Sequence, residues 1–381
     1  MTFTLASYAS SNDALLELLV KKGVLTDQEA GAVREELRDE KAFVVKAKGK
    51  ETVELVFSGR LQGQFDSLSM TGKPGTSHFY FRRLFFGAKA NLQNGFFAEA
   101  VLDLARDGEA AGDYGVNLDK AVAGYKFHPA LTGIIGYQKV PFGFEETTSS
   151  AKIPTIERSA ANRFFADDID FSARHAGFHF KGDLGAGMSY AAAVVNAAQG
   201  EGSRLLGDAE TCNDLAAFGR VQWKSEGLLL GVDGGFQPNN AKISPVSNPV
   251  KAVTGYVNYK ADGLNLLGEY FYGDMEEAGD AKGYALRASY RTGKFEPVIR
   301  YSHLENSKFE IDSDELIRRA PKGGTLSGND NSIDSYYAGF NYHHNDAVQI
   351  MLGYENATAK NDSNTPDVDV DGFRARVQVL W

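Results

Sequence analysis

The chain has 381 residues, with 50 aspartates and glutamates against 40 lysines and arginines, and no run approaches eighteen apolar residues. A helical membrane span is excluded on that ground, and the negative balance argues against a nucleic-acid partner, whose phosphates need clustered positive charge. The 41 glycines, 17 tyrosines and 25 phenylalanines beside only 10 prolines fit a large all-β protein, or one that wears apolar side chains outside. The single cysteine, Cys212, can form no internal disulfide and matches no zinc spacing.

Residues Met1 to Ser11 lack the charged and apolar regions of a secretory signal, so an exported protein would have had its signal removed. From Asn12 the pattern is helical: Leu15, Leu16, Leu18, Leu19 and Val20 share a face that stops at Gly23. Thr26-Asp27-Gln28-Glu29 then reads as a capping box, and Ala30, Val33 and Leu37 continue one face among charged neighbours. Residues 1–50 are therefore expected to form a short amphipathic helical segment that caps the fold or serves association.

After about Glu51 the apolar period changes to 2 and stays there to the end, which predicts strands with two unlike faces. About sixteen are legible, from Val53–Ser67 and Phe79–Leu92 to Val348–Asn356 and Gly372–Trp381, each near the ten residues a tilted strand needs to cross hydrocarbon. Tight turns, such as Gln93-Asn94-Gly95, Asp183-Leu184-Gly185, Asp262-Gly263 and Asn345-Asp346, alternate with long polar loops. The loops include Met70–His78, Pro141–Ala173, Pro238–Pro249 and Glu305–Asp334. Short turns on one rim, long loops on the other and an even strand count predict an all-β transmembrane antiparallel barrel over 51–381, with the helical segment on the periplasmic, short-turn side. A two-sheet soluble β-protein is the competing reading.

In the last strand Phe373, Ala375, Val377, Val379 and Trp381 share one face, and Arg374, Arg376 and Gln378 the other. A barrel of this width cannot fill its interior with side chains, so the apolar face points to lipid and the polar face lines water. Tyr80, Tyr125, Tyr137, Tyr259 and Tyr301 then suit interfacial girdles. The inward bases expected are Arg60, Arg83, Lys89, Lys139, Lys181, Arg220, Lys224, Lys260, Arg287, Arg291, Arg300, Arg374 and Arg376. They outnumber the inward acids Glu54, Asp66, Glu99, Asp103, Glu269, Glu296 and Glu355. A positive lumen favours small anions. The 141–173 connection carries Glu145, Glu146, Lys152, Glu157, Arg158 and Arg163 and is long enough to fold inward and narrow the hole.

Several segments together resemble the phosphate-selective porin family, O and P type, of Gram-negative outer membranes. They are Phe81-Arg82-Arg83-Leu84-Phe85-Phe86-Gly87, Ala123-Gly124-Tyr125-Lys126 and Gly136-Tyr137-Gln138-Lys139-Val140-Pro141-Phe142-Gly143. Most specific are Glu145-Glu146-Thr147-Thr148-Ser149-Ser150 and Thr155-Ile156-Glu157-Arg158-Ser159-Ala160-Ala161-Asn162, which look like the family's third loop. The resemblance implies a homotrimer of sixteen-stranded barrels in outer-membrane lipid and lipopolysaccharide, with that loop forming an anion site in the pore. Arg82 and Arg83 match the family's arginine pair, Ser149 and Ser150 its loop serines, Arg158 its loop arginine, and Asp119 lies where the family places an acid. This chain departs by carrying Glu146, beside Glu145, where the phosphate-selective members have a lysine. A carboxylate there would repel phosphate.

Other chemistry is poorly supported. His175 and His179 share a strand face yet stand roughly 13 Å apart, too far for one metal ion. Asp367-Val368-Asp369-Val370-Asp371-Gly372 mimics the opening of a calcium loop but has Gln378 where a bidentate glutamate is needed. No nucleophile motif and no glycine-rich phosphate loop before a helix is present, so neither an enzyme nor a cofactor is expected. The expectation is an outer-membrane porin passing small anions such as phosphate. The alternatives are a general or cation-preferring porin, a structural barrel with a closed pore, and an outer-membrane hydrolase.

Overall fold

A computed structural model describes residues 16, 18–22, 43–47, 53–92, 94–105, 115–198, 203–206, 214–243, 248–307, 311–321, 325–326, 331–361 and 366–381. Sixteen antiparallel strands form the wall. They are β1 Val53–Met70, β2 Lys73–Leu92, β3 Phe96–Asp103, β4 Asn117–His128, β5 Leu131–Lys139, β6 Arg174–Gly185, β7 Met188–Asn196 and β8 Leu215–Ser225. The second half comprises β9 Leu228–Asn240, β10 Asn248–Ala261, β11 Leu264–Asp274, β12 Asp280–Tyr290, β13 Phe295–Asn306, β14 Asn331–His343, β15 Val348–Lys360 and β16 Val368–Leu380. Each pairs with the next, and β16 closes on β1 from Val370↔Met70 to Leu380↔Arg60, so no edge of the sheet is left open. The capping box of residues 26–29 lies outside the described residues. The helical pattern is seen at Leu18–Lys21, and Phe43–Ala47 is a strand paired with the start of β1, so the period of 2 begins before Glu51.

The expected faces hold in most of the wall. Phe373 and Val377 are exposed on the outside while Arg374 and Arg376 are buried inside, and Leu286 and Tyr290 oppose a buried Arg287. Two local expectations fail. The segment 70–78 is not a loop: β1 and β2 run on as a hairpin turned at Gly72, with Ser67 and Ser77 hydroxyls 2.9 Å apart. Its polar side chains read as loop, but beyond the hydrocarbon layer they suit a solvated strand. The turn placed at 183–185 lies instead at Ala186-Gly187, because Asp183 and Gly185 still pair with Ser189 and Met188. Residues 368–372 belong to a strand, with Asp369 and Asp371 held by Thr358, Ser69 and Tyr354.

Tyr80 faces the lumen, where its hydroxyl donates to Asp66 at 2.7 Å, and is not part of a girdle. The reason is a β-bulge. Gln62 pairs with Arg83 and Gly63 with Phe81, leaving Arg82 as an extra residue in β2. The bulge exchanges the faces, so Phe79 and Phe81 are exposed before it and Phe86 after it, and the consecutive Arg82 and Arg83 both point inward, buried.

The seam between β1 and β16 depends on a glycine. Gly59 and Trp381 exchange backbone hydrogen bonds of 2.8 and 3.1 Å, and the indole lies over Gly59 so closely that a Cβ there would fall 1.9 Å from Trp381 Cε2. Gly59→Val is expected to push the indole off the seam and lower stability by about 2 kcal/mol or more. Heat-modified mobility on gels would read this, and Trp381→Ala in the same chain should recover part of the loss. Additive losses would show that the two side chains do not meet.

Candidate functional site

The interior is not uniformly polar. On one side the 140–173 connection contributes Val140, Phe142, Phe164, Phe165, Ile169 and Phe171, fully buried against inward Phe218, Val250, Phe271, Ala281 and Leu304 of β8 and β10–β13. Leu316 and Ile317 of the 307–330 connection join them. Water is excluded from that half. What stays open is a cavity of about 1220 Å³ along β1–β8, running from Asn345–Ala347 at the short-turn rim to Asp167 and Arg318 toward the long loops.

The connection crosses the lumen because both of its sides are tied to the wall. Gly143, at φ 79° where glycine is favoured, starts a helical turn over Phe144–Thr147. The amides this start leaves free are met by wall carboxylates. Gly143 N donates to Asp233 at 2.9 Å, and Phe144 N and Glu145 N donate to Glu269 at 2.5 and 3.2 Å. Arg220 bridges Asp233 at 2.6 Å and reaches the Gly143 carbonyl and the Thr147 hydroxyl. At the far side Glu157 receives Arg82 and Arg376, each at 2.7 Å, and its carbonyl receives Arg300. Arg158 binds the segment to itself, donating to the carbonyls of Glu145, Glu146 and Thr148.

These contacts decide the charge of the passage. Glu145 is buried on Arg287 at 3.0 Å, and Glu146 sits between Lys139 at 2.5 Å and Arg158 at 3.2 Å. Both carboxylates that looked repulsive are thus neutralised by a base in contact. Several inward arginines are likewise occupied: Arg300 and Arg374 share Glu355, Arg374 also holds Asp66, and Asp119 holds Arg174 at 2.5 Å. Lys181 lines the short-turn half of the cavity.

Arg60 and Arg83 differ from these arginines. Arg83 donates to Gln62 at 3.1 Å, and Arg60 donates to Ser150 at 2.9 Å and Ser149 at 3.3 Å while lying over the Phe85 ring. Neither has a carboxylate in ion-pairing distance among the described residues, and both line the cavity with the two serines. A hydroxyl that accepts from Arg60 keeps its own proton to give, so this corner presents two cations and two O–H donors to whatever occupies the cavity. Alternation in β1 had marked Arg60 as inward. Asp233 was missed, although its place between outward Val232 and Gly234 was a signal.

Burial would raise the carboxyls of Glu145 and Glu157, but Arg287 and Arg300 around the first, and Arg82, Arg376 and Arg83 around the second, outweigh it. Glu145 is held below the usual carboxylate value and Glu157 well below. The sign follows from the charged form being favoured in the fold: the tie is complete above about pH 4.5 and is lost only as pH falls through the depressed values. Single-channel conductance in planar bilayers is therefore expected to hold steady from neutral pH down to about 4.5. A change of conductance near pH 6 that Glu145→Gln and Glu157→Gln together abolish would show that these carboxylates do not hold the loop.

The family model described as phosphate-selective porin O and P matches residues 57–209 and 221–381. No curated protein sequence matches the chain. Among solved structures it is similar in fold to the outer-membrane channel DcaP of Acinetobacter baumannii, at 9% identity over 86% of this chain and 97% of that one, with a TM-score of 0.62. It is likewise similar to OmpF of Salmonella typhi in complex with daunomycin, at 13% identity, 88% and 100% coverage and a TM-score of 0.61. OmpT of Vibrio cholerae in its trimer form gives 11% identity, 86% and 99% coverage and a TM-score of 0.55.

Proposed function

The chain belongs to the phosphate-selective porin O and P family, and from that premise we propose that it passes small anions, phosphate among them, by diffusion through the cavity beside the 140–173 connection. It is an outer-membrane porin, a channel and not an enzyme. Anion preference rests on one observation: Arg60 and Arg83 face the cavity with no carboxylate in ion-pairing distance among the described residues, while the lining acids Glu99, Asp119, Glu146, Glu157 and Asp167 each hold a base and Asp103 is met by the Leu84 and Ala105 amides. An anion meeting Arg60, Arg83, Ser149 and Ser150 exchanges hydration for charge-assisted hydrogen bonds, and a water-filled path on either side lets it leave.

The reading extends to assembly and orientation. Outward Ala88 pairs with Ala100 and Ala100 with Ala121, and Ala90 with Ala98 and Ala98 with Ala123, so β2–β4 carry a flat apolar field on which a second barrel can seat. A homotrimer, as OmpT's trimer form exemplifies, fits that field, with the helical segment of residues 1–50 on the periplasmic rim. Zero-current potential across a chloride gradient in a planar bilayer, with phosphate titrated in, tests the channel reading. Anion preference with block by phosphate supports it, cation preference would make the protein a general porin, and absence of conductance would leave a structural barrel.

A further inference from the structure

We propose that the cavity binds short zwitterions, with their carboxylate in the corner formed by Arg60, Ser149 and Ser150 and their ammonium group on Asp103. The inference rests on the channel reading above and names what else an occupant of its anion corner carries. Arg60 of β1, Phe85 of β2 and Asp103 of β3 are register partners in one row across the wall, and all three line the cavity. Arg60 and Asp103 therefore stand two strand spacings apart, roughly 10 Å at about 4.8 Å per strand.

Asp103 is fixed in place with one oxygen to spare. Its Oδ1 accepts from the Leu84 and Ala105 amides at 3.0 and 3.1 Å, which sets the carboxylate at the end of β3. Its Oδ2 receives no hydrogen bond, and no base lies in ion-pairing distance, among the described residues. The neighbouring bases are committed elsewhere. Lys120 holds Glu99 at 2.8 Å, and Arg83 donates to Gln62 of β1, away from β3. In β4 a bulge inserts Asp119 between the partners of Val101 and Leu102, so a second carboxylate lines this side, with Arg174 on one of its oxygens. The wall thus presents carboxylates on β3 and β4 and a guanidinium with two hydroxyls at β1, with the Phe85 ring between them.

Three kinds of small solute meet this row differently. A simple anion in the Arg60 corner leaves Asp103 without a counter-charge. A simple cation on Asp103 is opposed by Arg60 and Arg83, neither of which has a carboxylate in ion-pairing distance among the described residues. A molecule with a carboxylate at one end and an ammonium at the other satisfies both ends of the row and lays its apolar middle along Phe85. A charge-assisted hydrogen bond of about 2.8 Å at each end leaves roughly 4 Å between the charged groups, a reach supplied by two or three methylenes.

The test is block of single-channel chloride current in planar bilayers at neutral pH by γ-aminobutyrate, butyrate and n-butylamine, each titrated separately, with phosphate as the reference. γ-Aminobutyrate is expected to interrupt the current at concentrations at least about tenfold lower than either analogue, since each analogue lacks one charge-assisted contact. Asp103→Asn should erase that advantage. Its amide oxygen still accepts from Leu84 and Ala105, so the barrel keeps its wall, and phosphate block should strengthen because a negative charge has left the cavity. Block by γ-aminobutyrate no tighter than by butyrate or by n-butylamine, or an advantage that survives in Asp103→Asn, would overturn the inference while phosphate block leaves the channel reading standing. If neither phosphate nor butyrate blocks, the anion corner itself fails and the zwitterion site falls with it.

Discussion

With Arg60 replaced by glutamate, the zero-current potential across a chloride gradient is expected to change sign and phosphate to stop blocking chloride current. Arg60 has no carboxylate in ion-pairing distance among the described residues, so the substitution changes the field where ions pass and not a salt bridge in the wall. It also removes the donor on which Ser149 and Ser150 rest, leaving both hydroxyls free to turn away. A hydrogen bond to a charged group is worth about 1.5–3 kcal/mol, so even its loss alone weakens phosphate block by roughly tenfold to a hundredfold. Arg60→Lys separates the two contributions: it keeps the charge but not the planar fork, so anion preference should remain while phosphate block weakens. If Arg60→Glu left the sign of the potential unchanged, the selective charge would lie elsewhere and Arg83 would carry it alone.

The wall was legible because lipid and water impose opposite demands on alternate residues, and a strand such as β16 obeys both along its whole length. Legibility stopped wherever a side chain met the protein instead of a solvent. Phe218, Phe271 and Leu304 face inward yet are apolar, because the 140–173 connection covers them. Alternation in those strands gives two apolar faces and no sign of which is covered. The bulge at Arg82 is invisible for a related reason: an extra residue changes the face of everything before it without changing composition.

Charge was the least legible quantity. Counting inward bases predicts a strongly positive lumen, but Arg287, Arg300, Arg374, Arg376 and Arg220 each meet a carboxylate that lies at least thirteen residues away in sequence. Pairing over such separations is set by the closed sheet and the crossing loop. A net charge therefore could not say which bases remain for an ion. The same pairing accounts for Glu146, whose place in the sequence suggested repulsion and whose contacts with Lys139 and Arg158 remove it.

Glu157→Gln is expected to release the loop from the wall and convert a steady pore into a fluctuating one of larger mean conductance. The carboxylate receives Arg82 and Arg376 from strands on either side of the β1–β16 seam, all three buried. A neutral amide of the same shape leaves the buried Arg376 guanidinium short of an anion and loosens the hold on Arg82, and breaking a buried pair from one side costs about 3–5 kcal/mol. The apolar half of the loop, anchored by Phe142, Phe164 and Phe165, should stay in place, so the residues between Glu145 and Glu157 are the ones that move. Adding Arg376→Gln should restore part of the stability by removing one orphaned cation while leaving the pore wide, which distinguishes a lost tether from general unfolding. Thermal unfolding and single-channel recording on the same preparations check both halves. Unchanged stability with unchanged conductance would mean that Arg300, through the Glu157 carbonyl, and Arg158, through its three loop carbonyls, suffice to hold the constriction without the ionic tie.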